Sequence, residues 1–258
     1  MKSTKIWLKY CVGFMLVCTP FYAKSQQTGG TEKSWSFLVE PYLMFPSMNG
    51  TTGISNLPDV EVDASAKDIF SNLKIGAMLY AEATRYGWTL SSDILYMNLE
   101  KDTRTGALIE RGELSAKQFG WEVSALRRIL PFMDIGIGGR YNNIKAWVDL
   151  TLNTRDGPEE RSKERAEGWI DPILISRFSA SPTDNLLLQL RADIGGFGVG
   201  ADLAWQAQAY AGYRFSELFH MSLGYRIISI DYEKGSGEDR FLYDVNTTGP
   251  VIRLGFNF

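Results

Sequence analysis

Cysteine is the first shortage. The chain of 258 residues holds two, Cys11 and Cys18, and both lie in a short N-terminal segment with the features of an export leader. Lys2, Lys5 and Lys9 form a basic start, and Cys11 to Cys18 is an apolar core too short to cross a bilayer as a helix. Ala23 and Ser25 then fit an A-x-A-like cleavage site ahead of Gln26. Residues 1–25 are therefore expected to be a signal peptide. Lipoprotein processing at Cys18 fits less well, because Val17 stands where a small residue is wanted. Residues 26–258 carry no cysteine, which excludes a disulfide framework, a thiolate nucleophile and a Cys-ligated metal. An oxidising compartment would have allowed disulfides, so stability must come from another source, such as a closed hydrogen-bonded sheet.

Other shortages narrow the class further. Beyond residue 25 no stretch approaches about 18 consecutive apolar residues, so no transmembrane helix is expected. Positive charge is not in excess: 27 Lys and Arg stand against 30 Asp and Glu, a net charge of −3. With no Lys/Arg cluster to reverse that balance, a nucleic-acid partner is not expected. No Pro/Gly/Ser-rich linker divides the chain, so residues 26–258 read as a single domain.

What is present is alternation. Trp35, Phe37, Val39, Leu43 and Phe45 fall on one face of an extended segment, with Ser36, Glu40 and Met44 opposite. Leu186, Leu188, Leu190, Ala192 and Ile194 oppose Gln189, Arg191 and Asp193. Trp205, Ala207, Ala209, Ala211, Tyr213 and Phe215 oppose Gln206, Gln208, Tyr210, Gly212 and Arg214. A period of two over ten or so residues signals strands longer than the globular average and long enough to cross a bilayer at a tilt. About ten such strands can be drawn, at 35–45, 73–84, 88–99, 115–127, 132–150, 169–178, 185–194, 203–215, 220–232 and 241–258. The connections alternate between short turns (85–87, 128–131, 179–184, 216–219) and long polar loops (46–72, 100–114, 151–168, 195–202, 233–240). The expected fold is all-β: a closed, antiparallel, up-and-down transmembrane β-barrel of a bacterial outer membrane. Eight or twelve strands stay open as alternatives, because 132–150 is long enough to hide a break.

The face opposite the apolar one carries Glu40, Lys74, Glu82, Asp93, Glu122, Asp134, Arg140, Asp171, Arg177, Arg191, Asp193, Arg214, Arg226 and Arg253. An Arg or Lys turned to lipid at mid-bilayer costs roughly 2–4 kcal/mol, so this face must look inward. Acids and bases are balanced in this set, and in a bore little wider than that of an eight-stranded barrel they are expected to pair and fill it. A largely plugged lumen is the first reading, with a structural role or an interaction through the long loops; a narrow pore for small solutes or ions is the alternative. Aromatic residues suggest two girdles, one near the short turns (Trp35, Trp88, Phe132, Phe178, Phe215, Phe219, Phe258). The other lies near the long loops (Phe45, Tyr96, Trp147, Trp169, Tyr232, Phe241). A soluble lipocalin-like barrel would invert this pattern of charge and apolarity.

Chemical motifs are few. Gly195 to Gly200 (GGFGVG) lacks the following helix and Lys-Ser/Thr of a phosphate loop and reads as a tight hairpin. Asp59, Glu61 and Asp63 lack the spacing and glycine of an EF-hand and read as a solvated acidic loop. The single histidine, His220, sits beside a short turn and reads as an interfacial residue rather than a general base. Lumenal acids would be held ionised by nearby arginines instead of serving as acid and base. An enzyme, a metal site and a cofactor are therefore not expected.

The last residues read VIRLGFNF, with Ile252, Leu254, Phe256 and Phe258 outward. This resembles the terminal strand of bacterial outer-membrane barrels, in which the final Phe is read by the barrel-assembly machinery. From about Asp134 onward, GGRYNN, WIDP, DIGGFGVGAD, GYR and GFNF resemble a family of small outer-membrane barrels akin to the outer-membrane protein A and W types. The resemblance implies a fold, a location and Phe258 as assembly signal, and it carries no catalytic residue. Expected partners are outer-membrane lipid, lipopolysaccharide, the assembly machinery and an unspecified extracellular partner of the loops.

Overall fold

A computed structural model of the protein describes residues 34–54, 59–102, 109–154 and 157–258. The expected leader and its cleavage site lie outside the described residues. Among the described residues, twelve strands form one antiparallel sheet. They are β1 (Ser36–Met44), β2 (Ser47–Ile54), β3 (Val60–Ala64), β4 (Leu73–Arg85), β5 (Trp88–Asp102), β6 (Ile109–Leu130) and β7 (Met133–Thr154), followed by β8 (Gly157–Ala180), β9 (Leu186–Gly196), β10 (Leu203–Arg214), β11 (Phe219–Lys234) and β12 (Phe241–Asn257). A short helix, α1 (Ala66–Ser71), lies between β3 and β4. Strands β1 and β4 to β12 run in chain order around the sheet, and pairing of β1 with β12 closes it. The barrel therefore has ten strands, and β2 and β3 are additional to it.

The two additional strands sit within the segment 46–72, which sequence alone suggested was loop. The lower half of β12 pairs with β1, from Asn257↔Leu38 to Val251↔Met44. Its upper half pairs with β2, from Thr248↔Ser47 to Phe241↔Ile54. The chain breaks between β1 and β2 at Phe45-Pro46, where proline has no N–H to give a ladder. At that break the backbones close up tightly: a Cβ on Gly249 would lie 2.1 Å from the Phe45 carbonyl oxygen. Only glycine leaves room for the crossing.

The other long connections are also largely strand. β6, β7 and β8 span 22, 22 and 24 residues, against about 9–11 for a tilted bilayer crossing. Pairing of β7 with β8 continues to Thr154↔Gly157. Outside the membrane both faces of a ribbon are solvated, so the apolar alternation that reveals a strand disappears while backbone pairing goes on. Composition made GPEERSKERAEG look like a loop; hairpin pairing overrides it.

Within the barrel, the period of two sorts the faces as expected. Leu188, Leu190, Ile137, Ile170, Leu223 and Leu254 are exposed on the outside. Glu40, Asp93, Glu122, Arg191 and Arg226 are buried inside. With no water in the hydrocarbon core, the closed ladder is what satisfies every backbone group, and its apolar exterior makes this an outer-membrane type of barrel. The short-turn girdle is present: Trp35, Trp88, Phe132, Phe178, Phe215 and Phe258 are exposed. Half of the expected long-loop girdle is a correction; Phe45 and Tyr96 are half-buried, and the side chain of Trp147 lies outside the described residues. Trp169, Tyr232 and Phe241 are buried with Tyr243 and Val245 inside the upper barrel, and the Trp169 and Tyr232 rings stack at 3.9 Å. Their positions explain this, since Trp169 is two residues from Asp171, and Tyr232 and Phe241 stand an even number from Arg226 and Arg253.

Candidate functional site

The lumen is built from two opposed walls. On one, Arg177 lies opposite Arg191, Arg191 opposite Gln208, and Gln208 opposite Arg226, a continuous row across β8, β9, β10 and β11. On the other, Asp93 of β5 lies opposite Glu122 of β6, with Glu82 nearby on β4. Like charges directly opposed repel, so neither row is favourable alone. Across the bore they neutralise each other: Arg177 pairs with Glu82, Arg191 with Glu122, and Arg226 with Asp93 at 3.0 Å.

Further bonds join these pairs into one path. Arg140 Nη2 donates to Glu122 at 2.7 Å and to Asp193 at 2.6 Å. Gln206 Nε2 donates to Asp193 at 2.9 Å, and Arg226 Nε donates to Gln206 Oε1 at 2.7 Å. The Tyr42 hydroxyl donates to Asp93 at 2.7 Å while accepting from Arg226 at 2.8 Å. An unbroken path thus runs from Arg191 through Glu122, Arg140, Asp193, Gln206, Arg226 and Asp93 to Tyr42. It touches strands β1, β5, β6, β7, β9, β10 and β11. Below it, Arg177 also binds Asp134 at 2.8 Å, and Arg128 reaches Asp134 at 3.0 Å.

At the short-turn mouth, the Arg253 guanidinium lies 4.2 Å from the Tyr210 ring, 4.9 Å from Tyr80 and 5.3 Å from Tyr42. It donates to Glu40 at 3.1 Å and Gln208 at 3.0 Å. Glu40 also bonds His220 Nε2 at 2.9 Å. A cavity of about 180 Å³ opens here, lined in part by Glu40, Tyr210, His220, Ser222 and Arg253. On the long-loop side, fully buried Asp171 accepts from the Ala201 N–H at 2.7 Å, Asn142 at 2.9 Å and Trp169 Nε1 at 3.1 Å. Apolar side chains fill further parts of the bore: Leu126 packs with Ile173 and Ile175, and Met44 and Val251 pack among Tyr42, Tyr80 and Tyr210.

Several sequence-predicted positions fall elsewhere. Lys74 is outside the lumen, with its side chain 56% exposed and paired to Glu100 at 2.7 Å. A register shift between Leu73 and Ile75 breaks the alternation there. Arg214 stands at the end of β10 and donates to the Asp184 carbonyl at 3.2 Å, so it braces a turn instead of meeting a lumenal acid. His220 is not interfacial: it is buried against Glu40, because it is six residues from Arg226 and shares its face. Asp59 is tied to Arg240 at 2.6 Å. Among the described residues no group of three or more His, Asp or Glu side chains is placed to hold a metal ion. Sequence reasoning put Gln206, Gln208 and Tyr210 on the polar face without assigning them to the network, and it missed Tyr42 and Tyr80, although these stand two residues from Glu40 and Glu82 on their own strands.

No family model matches the chain, and no curated protein does. Solved structures similar to it include the outer membrane protease OmpT from Escherichia coli, at 10% identity and a TM-score of 0.47, covering 90% of this chain and 99% of that one. The attachment invasion locus protein Ail of Yersinia pestis is similar at 9% identity and a TM-score of 0.36, covering 88% and 99%. The toluene transporter TodX of P. putida is similar at 8% identity and a TM-score of 0.34, covering 87% and 90%. Identities and scores this low carry no argument about activity. The assignment to the general class of outer-membrane barrels, without the narrower protein A or W type, rests on the closed sheet and its apolar exterior.

Proposed function

We propose that this chain is a non-conducting outer-membrane barrel, a rigid anchor that holds the extended β6–β7–β8 ribbon and the β2–β3 hairpin beyond the membrane for contact with an external partner. One observation carries the reading: the hydrogen-bonded path from Arg191 to Tyr42 touches strands on all sides of the bore. Apolar clusters lie on both sides of that path, Trp169 with Tyr232 toward the long loops and Leu126 with Ile173 and Ile175 toward the short turns. Such a fill supports a support role over passage. A non-enzymatic reading is supported by His220, whose ring is buried and has both nitrogens engaged, by Glu40 and by Asn257. The test is ion release from liposomes loaded with a small fluorescent ion and carrying the refolded full-length protein. Retention at the level of empty liposomes is expected, and rapid release would favour the narrow-pore reading.

A further inference from the structure

One sector of the short-turn rim gathers cations: Arg85, Arg127 and Arg128 lie at the ends of β4 and β6, beside the turns that join β4 to β5 and β6 to β7. Arg85 lies opposite Trp88, and Trp88 opposite Arg127, so an Arg-Trp-Arg row crosses β4, β5 and β6 on the outer face. The Arg85 guanidinium lies 4.8 Å from the Tyr86 ring and 5.6 Å from the Trp35 ring. The Arg127 guanidinium lies 5.4 Å from the Trp88 ring and donates to the Tyr86 carbonyl at 2.6 Å. Trp35, Tyr86 and Trp88 are all exposed.

The turn that gathers these groups is itself unusual. Tyr86 has φ 53° and Gly87 φ 71°, the pair of left-handed residues of a type I′ hairpin, where Asn, Asp or Gly is preferred first. A bulky tyrosine is strained in that position. Here its ring faces one guanidinium and its carbonyl holds the other. Gly87 leaves space for the second, since a Cβ there would stand 3.3 Å from Arg127 Nη1. Strain retained at a turn that positions two cations points to a ligand for them.

We propose that this sector of the rim binds the headgroup phosphate of an anionic phospholipid in the adjoining leaflet. Arg85 and Arg127 hold the phosphate, and the acyl chains lie along Leu90 and Val123, which are exposed directly above on β5 and β6. Arginine carries five N–H donors in a planar fork that matches phosphate oxygens. One carbonyl bond and a ring contact therefore leave Arg127 with donors to offer. The aromatic faces fix both side chains before the lipid arrives. The inference depends on the barrel's place in the membrane and is independent of whether the lumen conducts.

Native mass spectrometry of the full-length protein in detergent tests it, with phosphatidylglycerol, neutral diacylglycerol and inorganic phosphate as probes. Wild type should retain one phosphatidylglycerol roughly tenfold more tightly than diacylglycerol, as expected for a charge-assisted contact. Arg127→Gln and Arg85→Gln should each remove most of that preference, while Lys67→Gln, on exposed α1 at the opposite end, should keep it. Excess inorganic phosphate should not displace the lipid; displacement would mean a free-ion site and overturn the proposal. Equal retention of the two lipids by wild type would overturn it without any variant, as would full retention in folded Arg127→Gln.

Discussion

At the scale of single residues, the lumen is a set of charges that are tolerable only in company. Buried ion pairs are poor evidence of stability, because desolvation offsets most of their attraction, but stranding one member is costly. Arg226→Ala leaves Asp93 buried with only the Tyr42 hydroxyl, and a loss of about 3–5 kcal/mol is expected where the site is dry. Changing both partners, as Arg226→Met with Asp93→Leu, should recover much of that loss, measured by urea unfolding in lipid vesicles. An additive loss in the double variant would show that the two side chains are not coupled. Parity made most of this site legible: two residues along a strand share a face, which is enough to put Glu40, Asp93, Arg191 and Arg226 together. It could not reveal who pairs with whom across the bore. It also failed where alternation breaks, at the Leu73/Ile75 register shift beside Lys74, and at Arg214, where a strand ends and a turn carbonyl competes for the guanidinium. His220 and Trp169 were misjudged for a different reason, since residue type was allowed to outvote position.

At the scale of elements, the β2–β3 hairpin was invisible in the sequence because β2 is polar or glycine from Asn49 to Gly53 and the alternation of Val60, Val62 and Ala64 in β3 covers only five residues. It is held at its outer end by Arg240, which bonds Asp59 at 2.6 Å and Glu233 at 2.6 Å. The Arg240 guanidinium holds the Asp59 carboxyl below its usual range. A depressed carboxyl pKa means that the contact is fully present above the ordinary Asp value of about 4 and is lost as pH falls through the lowered one. Protection factors for amide exchange across Ser47–Ile54, referenced to the intrinsic rate at each pH, should therefore be high at neutral pH and lower in strong acid, and Arg240→Ala should show the low protection already at neutral pH. Protection unchanged in that variant would remove the clasp from the account. At the other end of the hairpin, Gly249→Val should impair assembly, because its Cβ would collide with the Phe45 carbonyl, where backbone has nowhere to move. Band intensity of folded protein on unheated gels reads this directly, and wild-type levels would contradict the crossing described.

At the scale of the whole molecule, closure and filling are separate achievements. Closure is made by backbone: Phe258 N–H donates to the Phe37 carbonyl at 2.9 Å, and Phe37 N–H donates to that of Phe258 at 3.0 Å. Removing Phe258 deletes both bonds at the seam and an exposed aromatic at the short-turn interface, so less heat-modifiable barrel should accumulate in cells. Filling is made by side chains, and it is where the account stands or falls. Single-channel recording of the refolded full-length protein in planar bilayers, wild type beside Arg226→Ala, is the most direct test. The account predicts no resolvable steps for wild type and the appearance of small, flickering steps when Arg226 is removed. A steady wild-type conductance that Arg226→Ala leaves unchanged would contradict it.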